Sequence, residues 1–464
     1  MSPGLRARSP MEEIGAPQNS RNSRLTLIHP RYLVAVRPQS IVLENHSIAI
    51  EQGSIVSIMT RAECEQTYPE AESVELPDHV LLPGFINMHS HSPMTLLRGY
   101  ADDMDLDVWL REYIWPAEQE FVGPSFVADG ARLAIAEMFR GGTTCFNDMY
   151  FFPDVLGETC LATGIRASIG VPLIEIQAAW APDIDSCFEQ SLRLHDDWQS
   201  ESLLNITFSP HAPYSISDET LRRVAIHSRE LNVPVHLHLL ETKWDIEHSL
   251  QHHGVHPLDR LRNLDLLNSR LLAVHVTQLT SEGIDQLAQS GVHVVHCPQS
   301  NLKLASGFCP LASLLEAGVN VSLGTDGAAS NNDLDLLSEA QTAALLAKGI
   351  SGNAQAVDAF QALEMMTING AKALGIHKLT GSIEVGKAAD LCAIDLSCPE
   401  TQPLYHVVSQ VIYAASSRQV SDVWVAGRRV LDCGQLTTID LEEVTRKARQ
   451  WQSRLSGFVK LVTG

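Results

Sequence analysis

The histidines of this chain fall at spacings that could hold a metal ion. Phe85 to Pro93, FINMHSHSP, follows the apolar run HVLLPG and places His89 and His91 two residues apart. Strand side chains alternate, so residues i and i+2 point to the same side. Two imidazoles so placed can reach one ion about 2 Å from each nitrogen. Alone such a pair says little, because strand histidines also satisfy backbone carbonyls. A second pair, His236 and His238, lies in VHLHLLET, with Glu241 three residues beyond His238. One further ligand is enough, which leaves His236 as a support or a core residue. Asp326 follows an apolar run in GTDG, where a turn aspartate is the ordinary reading. Together His89, His91, His238 and Asp326 supply the nitrogen and oxygen ligands of a zinc site with a water position left open. His211 in SPHAPY and His275 in AVHV end two other apolar runs.

The elements that must position these residues alternate between short apolar runs and longer helical patterns from about residue 83 to 382. That alternation points to a parallel α/β sheet. Eight strands are expected: LLPGFINMH, TTCFNDM, RASIGVPLI, LNITFSP, VPVHLHL, LLAVHV, GVHVVHC and NVSLGTD. Periodic segments lie between them, such as VADGARLAIAEMFRGG, whose closing glycine pair suits a helix stop. Eight such units predict a (β/α)8 TIM-type barrel, in which all strand C-termini open on one face and active sites are built there. His89, His91, His211, His238, Glu241, His275 and Asp326 then converge on one mouth. Residues 25–82 and 383–436 read as strands, including VSQVIYAAS, and predict a small β-sandwich domain formed from both chain ends. Residues 437–464 predict a C-terminal helix packed on the outside, and residues 1–24 a disordered extension.

The chain has 464 residues, 45% of them hydrophobic, enough for a large barrel and a second lobe. Its 33 Lys and Arg against 55 Asp and Glu give a formal charge of −22, which argues against a nucleic-acid or anionic-membrane surface. A neutral or cationic small substrate suits that balance. The nine cysteines form no CxxC pair, so a reducing, cytoplasmic setting without disulfides is expected. Cys297, in HCPQSN, reads as a small buried apolar residue. No run of about 18 apolar residues could span a membrane. Residues 1–24 lack the apolar core of a secretory signal, and Glu12 and Glu13 interrupt an organelle-targeting pattern. An exposed barrel side is expected to support a homo-oligomer.

Some barrel hydrolases bridge two metals with a modified lysine partway round the barrel. The first lysine of this chain is Lys243, after the fifth strand. A single catalytic metal is therefore expected.

PGFINMHSH, HLHLLET, HCPQSNLKLASG, LGTDG and GKAADL resemble the amidohydrolase superfamily, in its branch of aminohydrolases acting on nitrogen heterocycles. RGYADDMDLDVWLREYIWPAEQEFV resembles the 5'-methylthioadenosine/S-adenosylhomocysteine deaminases within that branch. The resemblance runs from about residue 25 to 435. It implies one zinc ion (or iron) on His89, His91, His238 and Asp326, Glu241 as a proton shuttle, and His275 beside the metal water. It also implies that Glu118, in WPAEQ, holds ribose hydroxyls, that His211 touches substrate, and that Asp326 accepts the water proton. Glu118 could instead be a solvated charge at a helix start, and His211 a loop cap, although these are the less favoured readings. Trp109, Trp115 and the leucines around Leu96 could wall the apolar side of the pocket or pack in the core. The implied reaction is hydrolytic deamination at C6 of an adenine nucleoside.

One departure bears on substrate. S-adenosylhomocysteine carries an amino-acid carboxylate, yet no Arg or Lys occurs from Ala167 through Leu192, where the matching cations would fall. Glu175, Asp183, Asp185 and Glu189 stand there instead. The chain is expected to prefer methylthioadenosine or adenosine. The first rival is a deaminase of a free base or related ring: guanine, 8-oxoguanine, cytosine or a triazine. The second is a non-catalytic zinc-binding module, which would leave Glu241 and His275 without a purpose.

Overall fold

The computed structural model describes residues 25–38, 41–175 and 180–462, with side chains as far as Phe458. The expected extension 1–24 lies outside the described residues, as do four positions of the cation-free segment, 176–179.

All eight expected strands form, in parallel and in chain order. They are β1 (Phe85–Ser90), β2 (Thr143–Met149), β3 (Arg166–Leu173), β4 (Leu204–Pro210), β5 (Val235–Leu239), β6 (Leu271–His275), β7 (His293–His296) and β8 (Asn320–Leu323). Most are buried from end to end, which is why they read as unbroken apolar runs rather than alternating ones. The seam between β8 and β1 is closed just beyond the last ladder bond. The Asn87 amide donates to Thr325 Oγ1 at 2.8 Å and accepts from the Thr325 N–H at 3.0 Å, and the Asp326 N–H donates to the His89 carbonyl at 2.9 Å. Gly324 permits this approach: a Cβ there would lie 2.7 Å from the His89 backbone nitrogen.

Helix Pro124–Arg140 shows how the flanking helices are bounded. Proline occupies its first turn, and the Gly141 N–H returns to the Glu137 carbonyl at 2.9 Å, which ends it where the glycine pair begins. The C-terminal helix Leu441–Val462 packs against it: Trp451 Nε1 and Lys447 Nζ both donate to Asp129, at 3.1 and 2.7 Å.

The chain ends build one continuous nine-stranded sheet. Strands Thr26–Val34, Val42–Glu44, His46–Glu51, Ser54–Thr60 and Glu72–Pro83 come from the first end. Leu391–Asp395, Val420–Val425, Arg428–Asp432 and Gln435–Leu436 come from the second. The two sets meet where Leu391–Asp395 runs antiparallel to Glu72–Pro83. All pairings are antiparallel except that of Thr26–Val34 with Glu72–Pro83. The sheet curls on itself, because the turn at Gly427 abuts the turn at Gly53 and encloses Ile28, Ile48, Ile55, Leu391 and Trp424. One expectation fails. VSQVIYAAS is not a strand; Val407–Tyr413 is a helix. Its buried residues Val407, Val408, Val411 and Ile412 follow helical spacing, and their β-branched character masked that period.

Candidate active site

Four histidines and an aspartate from four strand ends meet at the C-terminal mouth of the barrel. His89 lies on β1 and His91 directly after it, His238 is on β5, His275 ends β6, and Asp326 follows β8. His89 Nε2 and His91 Nε2 each lie 3.2 Å from Asp326 Oδ1, and His238 Nε2 lies 3.2 Å from His89 Nε2. Donor atoms of His89, His91 and Asp326, and of His89, His238 and His275, form two overlapping groups, each within 4.8 Å. Ligands of one zinc ion at bond lengths of about 2.0–2.1 Å and tetrahedral angles sit about 3.3 Å apart.

The far side of each ring decides what the near side can offer. His91 Nδ1 donates to the Met149 carbonyl at 2.6 Å, and His238 Nδ1 to the His211 carbonyl at 2.7 Å. A carbonyl only accepts, so both Nδ1 atoms carry hydrogen, and each Nε2, once free of a proton, faces the cluster with a lone pair. His89 Nδ1 lies 2.9 Å from His236 Nε2, and His275 Nδ1 lies 2.8 Å from Asn301 Oδ1. Lone pairs and a carboxylate oxygen converging at 3.2 Å repel one another unless a cation lies among them. Three nitrogens and an oxygen fit a borderline ion such as zinc.

The charges agree. Burial would raise the Asp326 carboxyl, but hydrogen bonds and charge from His89 and His91 hold it well below the usual carboxylate range. Burial pushes His89 down to about 4 and His238 well below the ordinary imidazole value. His91 alone goes up, to about 9, because Asp326 outweighs its burial. Positive charge is therefore demanded at the point where a metal would replace the His91 proton.

Glu241 lies beside this cluster, its Oε2 3.8 Å from His275 Nε2 and its Oε1 accepting from Ser306 Oγ at 3.2 Å. Burial raises its pKa, against the opposing pull of His275. A raised pKa favours the protonated form, which suits an acid that passes a proton to a substrate. Backbone strain gathers here: Leu240, His275, Val276 and Asp326 have φ of 53°, 73°, 41° and 62°. For β-branched Val276 that conformation is rare and marks a functional strand end.

The Amidohydrolase family model matches residues 80–430. The chain belongs to the amidohydrolase family. It is 46% identical over 424 residues (91% of this chain, 96% of the relative) to a 5-methylthioadenosine/S-adenosylhomocysteine deaminase of Teredinibacter turnerae. It is 38% identical over 426 residues (91% and 96%) to a 5'-deoxyadenosine deaminase of Methanosarcina acetivorans. Among solved structures it resembles an adenosine deaminase from Xanthomonas campestris with bound zinc, at a TM-score of 0.92 and 49% identity over 93% of this chain and 98% of that one.

The remaining expected residues of this amidohydrolase occupy different depths. Glu118, on helix Trp115–Phe121, is half-buried and accepts from Tyr150 Oη at 2.7 Å. Burial pushes it up to about 7, although Tyr150 and the charge of His91 pull the other way. The His211 ring packs 5.0 Å from His238, and its Nδ1 pairs with Ser215 Oγ at 3.2 Å. Trp109 is buried and donates to the Ala101 carbonyl at 3.0 Å, so it is core, while Trp115 is 42% exposed and Leu96 packs on the barrel core. Cys297 is fully buried, and burial raises its thiol well above the usual value, consistent with an inert packing role. All nine cysteines are free.

Of the residues that orient the amidohydrolase cluster, His236 was read in the sequence as a support or a core residue, whereas Ser300, Ser330 and Asn301 were missed. Ser300 and Ser330 donate to Asp326 Oδ2 at 2.6 and 2.8 Å, Asn301 holds His275, and His236 holds His89. For Ser300 and Asn301 a signal existed: both lie in HCPQSNLKLASG, directly after β7, on the short helix Pro298–Lys303.

Proposed function

We propose that this amidohydrolase is a metal-dependent deaminase of adenine nucleosides, converting the 6-amino group to the 6-oxo form with water and releasing ammonia. The observation that carries the reading is Glu241, a buried acid of raised pKa beside His275 and the convergent donors. The deaminase names of the relatives support it. His89, His91, His238 and Asp326 would hold a single zinc ion, as the zinc-containing relative suggests; metal analysis of the purified protein separates zinc from iron. Zinc supplies the Lewis acidity that makes hydroxide available near neutral pH. Asp326 accepts the proton of the attacking water. Glu241 protonates the ring nitrogen next to C6 and then takes the remaining proton of the added hydroxyl as C6=O forms, while the proton held by Asp326 passes to the departing ammonia. His275 hydrogen-bonds the oxygen as it adds to C6.

Glu118 selects nucleosides over free bases, because its carboxylate accepts hydrogen bonds from ribose hydroxyls. His211, whose Nδ1 is engaged by Ser215, offers its other nitrogen to the same substrate. Beyond β3, Glu175 accepts from Ser217 and Thr220 at 2.5 Å each, so an acidic side chain stands on the segment where a substrate carboxylate would need a cation. Methylthioadenosine or adenosine is therefore favoured over S-adenosylhomocysteine. The reading takes a small-molecule substrate, a homo-oligomeric assembly and a cytoplasmic setting.

The test is ammonia release from a panel of 5'-methylthioadenosine, adenosine, S-adenosylhomocysteine, adenine, guanine and cytosine. Nucleosides should react, and Glu118→Ala should lower their kcat/KM by about 100-fold or more, the scale of losing a charged hydrogen bond left unmatched in a buried site. Since the ionised Glu118 accepts from hydroxyls more strongly than its neutral acid, nucleoside kcat/KM should fall as pH drops through about 7. Ammonia from free bases alone, or unchanged kinetics in the Glu118 variant, would favour the free-base reading. Comparable kcat/KM for S-adenosylhomocysteine and methylthioadenosine would remove the stated preference.

A further inference from the structure

Residues 98–122 join the 3-10 helix Ser92–Leu97 to helix Pro124–Arg140 and carry Glu118. Among the described residues, this segment has polar side-chain fastenings to the rest of the chain at three points: Arg98, Asp102 and Glu118. The middle one is a junction of three segments. Lys303 Nζ donates to Asp102 Oδ1 at 2.5 Å, to Asn332 Oδ1, and to the Ala329 carbonyl at 3.4 Å. Asn332 Nδ2 donates to Asp102 Oδ2 at 3.2 Å, and the Asn332 carbonyl accepts from Arg98 Nη1 at 2.9 Å.

All three ammonium hydrogens of Lys303 are thus directed to fixed partners, and its side chain is only 23% exposed. An exposed lysine in a lone ion pair gains little by such an arrangement. Here the partners are what matter. Lys303 closes helix Pro298–Lys303, which also carries Ser300 against Asp326 and Asn301 against His275. Asn332 lies two residues beyond Ser330, which also holds Asp326. The supports of the proposed metal site and the segment bearing Glu118 therefore share one buckle.

We propose that Lys303 is a positioning residue: with Asp102 and Asn332 it sets the height of the Glu118-bearing segment over the donor cluster, and so sets nucleoside affinity rather than the chemical step. The substrate part of this rests on the nucleoside reading above; the positioning part does not.

The experiment compares Lys303→Met, Asp102→Asn and Lys303→Arg with the unaltered metal-loaded protein. It measures KM and kcat for 5'-methylthioadenosine, metal content, and amide hydrogen exchange across residues 98–122. Lys303→Met and Asp102→Asn should each raise KM by about ten-fold, the scale of one lost partly buried charge-assisted bond, with kcat and metal content held. Exchange across 98–122 should quicken in both, and Lys303→Arg should recover most of each change. Unchanged KM and exchange in both variants would overturn the proposal, as would metal loss in Asp102→Asn, which would make the junction part of the metal site itself. If the unaltered protein deaminates no nucleoside, the nucleoside reading falls, and hydrogen exchange alone still decides the buckle.

Discussion

Two buried acid–base clusters stand at opposite ends of the barrel, and they differ in what they leave over. At the N-terminal end of β3, Arg166 and Asp390 pair through Nε–Oδ2 at 2.8 Å and Nη2–Oδ1 at 3.2 Å, with side chains 2% and 0% exposed. The third guanidinium nitrogen donates to the Ser202 carbonyl at 2.7 Å, and Asp390 Oδ1 also accepts the Ala426 N–H at 2.7 Å. Each guanidinium nitrogen and each carboxylate oxygen has a protein partner, and the pair ties the barrel to the curled sheet. At the other end, Asp326 faces His89 and His91 while His238 Nε2 faces His89 Nε2. His89 Nε2 lies 3.2 Å from both Asp326 Oδ1 and His238 Nε2, so a single proton there would have to serve two acceptors at once. Burial alone does not separate structure from site; unfilled valence does. The contrast follows the division of such barrels into a stabilising end and a reactive end.

The strongest way to break the comparison is Asp326→Asn. The amide keeps the shape but removes the charge that the cluster is built around. Metal affinity should fall by more than about 100-fold, beyond the range for residues that merely support ligands. Ammonia release should fall by about 10⁴-fold or more, since both a proposed ligand and a proton acceptor are lost. Full metal content and activity in this variant would mean that the C-terminal cluster is as structural as the N-terminal one.

Arg166→Met puts the converse question. It strands a buried carboxylate, for which a cost of about 3–5 kcal/mol in stability is expected. Chemical denaturation measures that cost, and kcat/KM of the folded fraction should be unchanged. Pairing it with Asp390→Leu should recover part of the loss, because replacing both members of a buried ion pair by apolar groups is often tolerated. A variant with unaltered stability, or one crippled in kcat/KM alone, would erase the distinction between the two ends.

The two ends were not equally legible in the sequence. The eight strands could be read because parallel strands buried on both faces are continuous apolar runs, and the ligand candidates because they sit at the ends of those runs. Asp390, by contrast, lies in GKAADL with nothing to name Arg166 as its partner, 224 residues away. Asn301 and Ser300 were hidden for a similar reason: their partners come from β6 and β8, and only the closed barrel brings those strand ends to one helix. The helix Val407–Tyr413 was misread because its four buried residues are all β-branched, and that strand-like composition outweighed their helical spacing in so short a run. Local pattern reports burial and strand ends, whereas pairings across the barrel need the fold.

A third ion pair, on the composite sheet, sharpens the comparison at its weak end. Arg61 makes parallel bonds to both oxygens of Glu75 at 2.9 Å and one to Glu65 at 2.7 Å. Its geometry is as good as that of Arg166, and its contacts are as many. Arg61 is 46% exposed, however, and Glu75 is 51% exposed, so water competes for every bond and salt screens the charges. Arg61→Gln should therefore cost no more than about 1 kcal/mol by chemical denaturation, and less still as ionic strength rises. Activity should not change. A loss near that of Arg166→Met would mean that bond geometry, not desolvation, sets the worth of these pairs. The unfilled valence at the barrel mouth would then be a weaker sign of a reactive site, because its force depends on water being excluded from the groups that face one another there.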